Sequence, residues 1–140
     1  HIGAIMNNNL TYYWLDKNHF GKVRFSKDFA KIEKGFVHVA DTNLNNGNDS
    51  IRVSTVILSF DHAALPDAAA GDGISNIPQL FETIIFSNGP DYNYMFRYPT
   101  FKSALDHHEK IVQAILSDLP IPDFILQDTW VQDYAEQFNV

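Results

Sequence analysis

The sequence predicts an α+β fold: a mainly antiparallel sheet of five to six strands packed against one long C-terminal helix, with a short N-terminal helix. Three observations lead there. Several stretches of strand length alternate or run apolar, and turn-type residues join them. One later stretch carries apolar residues at three- and four-residue steps, the stripe of an amphipathic helix. The length, 140 residues of which 45% are hydrophobic and 14% aromatic, suits a single domain with its own core.

Residues 1–9, with the run Asn7-Asn8-Asn9, show no period; they are expected to be flexible or partly left from cloning, with Met6 as the native start. Leu10 to Leu15 is aromatic-rich and reads as a strand, and Lys22 to Phe25 as a second, short one. Ser26 reads as the cap of a short helix that turns Phe29 and Ile32 inward and ends near Gly35. Phe36 to Thr42 alternates as a strand, and Asn43 to Asp49 is a turn cluster whose Asn-Gly accepts positive φ. Ile51 to Phe60 has apolar side chains on both faces, which predicts a central strand. Asp61 to Gln79 is a long connection of the kind that is functional or mobile. Leu80 to Phe86 and Tyr92 to Tyr98 pair across Ser87 to Asp91. Thr100 caps a helix from Phe101 to Leu119, stopped by Pro120 and Pro122. Residues 120–140 form an acidic, aromatic tail with helical spacing from Trp130 onward.

With no cysteine, there is no disulfide framework, thiolate zinc site or cysteine nucleophile, and a reducing compartment fits. No apolar run reaches the roughly 20 residues of a membrane span, so no membrane partner is expected. The formal net charge of -7 disfavours nucleic acid as a partner. That charge is polarised. Six of the ten basic residues lie between Lys17 and Lys34, whereas beyond Lys110 five acidic residues stand without a cation, leaving the rest of the chain at -2. Such asymmetry points to contact surfaces; the plainer reading is two solvated faces.

The residues that could carry chemistry are Asp61, His62, Glu82, Arg97 and His108. Histidine and carboxylates suit acid–base work or a metal. No motif of a metalloenzyme, nucleophile elbow, P-loop or dinucleotide site is present, and no metal or cofactor is expected. The plainer reading has Glu82 paired with Arg97, Asp61 capping its loop and His108 as a core histidine, with His107 turned away from the apolar stripe. A four-residue loop, Asn88 to Asp91, puts Glu82 directly opposite Arg97; a five-residue loop puts them on opposite faces. Trp130, Tyr134 and Phe138 are the binding candidates: an exposed aromatic stripe for a partner or, more plainly, a cover for one face of the sheet.

At IRVSTVILSFDH (51–62), LFETIIF (80–86) and RYPTFKSALDHH (97–108) the chain resembles a family of small uncharacterised proteins common in bacteriophage and prophage genomes. Their pattern runs VSTVFLGLDH, FETMVFGG and RYSTWEEALAGH, after a start similar to Tyr13-Trp14-Leu15-Asp16. Asp61, His62, Phe81, Glu82, Thr83, Phe86, Arg97, Tyr98, Thr100, Ala104 and His108 fall on it. Ser59, Ser87-Asn88 and His107 depart from it, each where glycine is the rule. The resemblance implies a phage origin and the cytoplasm of an infected or lysogenic bacterial host, and implies no mechanism.

Three functions are compatible with these residues. The favoured one is a non-enzymatic phage accessory protein that binds a host or phage protein. The second is a small hydrolase or metal-dependent enzyme using Asp61, His62, Glu82 and His108. The third is a symmetric homo-oligomer that sequesters a ligand or has a structural role.

Overall fold

A computed structural model of the chain describes residues 10–33, 37–60, 77–89 and 94–139. The expectations for residues 1–9, for Asp61 and His62 with most of the long connection, and for the helix end at Gly35 lie outside the described residues. The fold is α+β, but the strands divide into two sheets. β1 (Tyr12–Leu15) and β2 (Val23–Ser26) form an antiparallel pair. β3 (His38–Asn46), β4 (Asp49–Ile57), β5 (Phe81–Ser87) and β6 (Met95–Tyr98) form an antiparallel sheet in that order. The small sheet meets the large one end-on, where Tyr13 N–H donates to the Ser59 carbonyl at 2.9 Å.

Local chemistry sets each turn. Asp16 ties the β1–β2 turn together: its carboxylate accepts from Asn18 N–H at 2.8 Å and from Arg24 at 3.2 Å. Gly21 in that turn has φ +88°, and a Cβ there would lie 3.1 Å from the Phe101 ring, so both conformation and space call for glycine. β3 runs further than its apolar pattern suggests, because Asn43 and Asn45 point away from the core and are free to extend the ladder. The turn cluster shrinks accordingly to Gly47-Asn48, with Gly47 at φ +66°, a two-residue hairpin turn that matches strand twist.

The expected N-terminal helix is a single 3-10 turn, Phe29–Lys31, capped by Asp28, not Ser26; Ser26 closes β2, and its hydroxyl accepts from Asp28 N–H at 2.9 Å. The long helix, α1 (Phe101–Leu116), begins where expected, with the Thr100 hydroxyl accepting from Ser103 N–H at 3.0 Å. It ends before the prolines. Asp118 takes a left-handed φ of 55°, and the Leu119 and Asp118 N–H groups return to the Ala114 and Ile115 carbonyls at 2.8 and 3.2 Å, a Schellman closure. Nor is α1 C-terminal. A stretch from 119 to 128 folds back along it and leads into a further helix, α2 (Trp130–Glu136).

One side of the large sheet packs on α1. Ile51, Val53 and Ile85 meet Ile111, Val112 and Ile115; Ile57, Leu80, Phe81 and Tyr98 meet Phe101 and Ala104. No helix among the described residues is long and apolar enough to cross a membrane.

Candidate functional site

Between α1 and the sheet lies a row of buried polar groups. His107 and His108 are both buried, so His107 is not turned away from the core as its spacing suggests. The stretch after α1 closes over it: His107 Nε2 lies 2.8 Å from the Pro122 carbonyl, and Phe124 packs against its ring. His107 Nδ1 meets the Tyr98 hydroxyl at 2.5 Å, and Thr83 hydrogen-bonds that same hydroxyl. Thr83 Oγ1 is 2.6 Å from Thr55 Oγ1, which is 2.8 Å from His108 Nδ1. The row ends at Thr42 Oγ1, 2.8 Å from His108 Nε2.

With both imidazoles neutral, the hydrogens in this row have one consistent arrangement. A carbonyl can only accept, so His107 Nε2 carries a proton, and in the neutral rings that burial favours Nδ1 accepts from Tyr98. Tyr98 then accepts from Thr83, Thr83 from Thr55, and Thr55 from His108 Nδ1–H. That leaves His108 Nε2 to accept from Thr42. Both imidazoles are neutral in this arrangement, and burial pushes both below the ordinary histidine value. The Pro122 carbonyl beside His107, and Glu109 and Asp41 near His108, act the other way more weakly. Burial also pushes the Tyr98 phenol up, keeping it a donor.

A pH dependence follows. In the unfolded chain both histidines take up protons below about pH 6.5, while the folded chain resists. The unfolded state therefore binds more protons on the acid side, and stability drops as pH falls. The melting temperature is expected to be flat above about pH 7 and to decline between about pH 6.5 and about pH 5. A melting temperature that holds constant across that window would show that the two rings do not remain neutral in the fold.

Glu82 and Arg97 stand directly opposite each other on β5 and β6, with Arg97 Nε 3.0 Å from Glu82 Oε2 and side chains only 11% and 12% exposed. This is the register of the four-residue loop. Strand alternation puts the pair on the side of the sheet away from α1, since Thr55 and Thr83 face His108 and Glu82 pairs with Val56. Glu82 and His108 are thus separated by the sheet, and no cluster of three or more potential metal ligands occurs among the described residues.

Of the aromatic candidates, Tyr134 and Phe138 fold back onto the β1–β2 sheet and pack against the core, and Trp130 rests on Tyr134. Phe138 meets Tyr13 and Phe25 with ring centroids 6.3 and 5.5 Å apart. Tyr13, Phe25, Tyr134 and Phe138 then line an open groove of about 470 Å³, with Thr11, Ser26 and Lys27 at its rim. Phe25 is 59% exposed. The chain matches no family model, no curated protein and no solved structure.

A groove lined by aromatic side chains and a few polar groups offers apolar contact and oriented hydrogen bonds. Its β-strand half, Tyr13 and Phe25, reads in sequence only as part of two strands. The signal that separates them from core is the position opposite each other in a two-stranded pair, which has too few neighbours to cover both faces.

Proposed function

We propose that this is a small, non-enzymatic accessory protein of phage type that acts by binding a host or phage protein in the cytoplasm of an infected or lysogenic bacterium. The groove between β1–β2 and α2 is its contact surface. One observation carries this reading: four aromatic side chains from separate segments converge on one open groove in which Lys27 is the only charged lining residue among the described residues. Interfaces concentrate their energy in such aromatic positions. The motif resemblance supports the phage setting.

Affinity capture from bacterial lysate tests it, comparing the wild type with Phe25→Glu and with Leu116→Glu, an exposed position on α1. A partner retained by wild type and by Leu116→Glu but lost with Phe25→Glu is the expected result. Equal capture by all three proteins would remove the groove from the function.

A further inference from the structure

We propose that the groove also takes the Asp123–Gln127 stretch of a second copy of this chain. The inference rests on the groove being a docking surface and names a partner for it.

The two surfaces are complementary within one sequence. Residues 119–127 belong to neither helix nor strand, with Phe124 and Leu126 turned partly inward and Asp123, Ile125 and Gln127 outward. Ile125 is 74% exposed, an apolar side chain held out from the surface beside a carboxylate. The lysines that line the same surface hollow as Ile125, Lys102 and Lys110, are already paired with Asp133 and Asp106 at 3.3 and 3.0 Å. Asp118, Asp123 and Asp128 are exposed and take part in no ion pair among the described residues.

The groove shows the reverse. Lys27 lines it and pairs with no carboxylate among the described residues. Aromatic walls accept the Ile125 side chain, and Lys27 answers Asp123. The stretch cannot enter the groove of its own molecule, because Pro122 is tied to His107 and Phe124 is packed on Tyr98. The occupant is therefore another copy. Each molecule offers both a groove and a stretch, so copies pair reciprocally or head to tail.

Sedimentation velocity from about 10 µM to about 1 mM, the range expected of so small a contact, tests this directly. The wild type is expected to gain mass with concentration and to lose it at high salt. Lys27→Asp and Asp123→Lys, both exposed sites, are each expected to weaken association on the order of tenfold, since an attraction becomes a repulsion. Mixed in equal amounts, the two variants restore opposite charges at both contacts and are expected to associate like the wild type. A wild type that stays monomeric, a mixture no better than its components, or association indifferent to both reversals would overturn the proposal. If the mixture stays monomeric while Phe25→Glu loses a captured partner, the groove serves a foreign protein alone. If the mixture associates while capture is unaffected by Phe25→Glu, self-docking stands and the accessory-protein reading falls.

Discussion

Replacing Tyr98 with Phe is expected to lower the unfolding free energy by about 2 to 4 kcal/mol, although it removes a single oxygen. The hydroxyl sits in the middle of the buried row, accepting from Thr83 and donating to His107. Its loss leaves a Thr83 donor and a His107 acceptor without partners, and Thr83 and His107 are both buried. An orphaned buried group costs about 1 to 3 kcal/mol, so two of them account for the figure. Thr42→Val, at the half-buried end of the row, orphans only His108 Nε2 and is expected to cost about 1 kcal/mol. Equilibrium denaturation at a pH where both histidines are neutral makes the comparison. If the two substitutions cost the same, the row is a set of separate contacts and not a connected unit.

Gln137→Ala is expected to cost a similar amount, about 2 to 4 kcal/mol, from a residue only three positions before the end of the sequence as given. The side chain is buried and bridges two backbone groups: Oε1 accepts from Phe101 N–H at 2.9 Å and Nε2 donates to the Pro99 carbonyl at 3.1 Å. The first N–H groups of a helix have no partner within it, so Gln137 completes the α1 N-terminus that Thr100 caps locally. Its own carbonyl accepts from Val23 N–H at 2.7 Å, joining β2 to the same point. Glu136→Ala, one residue away and exposed, is expected to change stability by less than about 0.5 kcal/mol. Denaturation curves that superimpose for the two variants would show that α1 does not depend on this clamp.

Much of the large sheet and α1 could be read from sequence, because their signals are local. Apolar residues on both faces mark β4, alternation around Glu82 marks β5, and the Thr100 cap and the stripe from Phe101 to Ile115 mark α1. Counting the loop leaves two registers for Glu82 and Arg97, and the structure takes the one that sets them opposite each other. What escaped the pattern depends on distant partners. His107 neighbours the stripe by one position and reads as solvent-facing until residues 119–124 are known to cross over it. The division into two sheets has no local signature, since Tyr12 and Tyr13 have the composition of any strand and what limits them is where the chain returns after β4. Gln137 reads as a polar tail residue and is a clamp only because Phe101 N–H and the Pro99 carbonyl lie beside it.

The one-way order of the buried row also bears on how the molecule could be observed. Hydroxyl protons ordinarily trade places with water too quickly to give a resonance. Those of Thr55, Thr83 and Tyr98 have one acceptor each, and none can swing away unless its neighbours turn with it. Their release then requires an opening of the core between α1 and the sheet. Three side-chain protons, their orientation decided by one carbonyl on a loop, would serve as clocks for the slowest motion of the core.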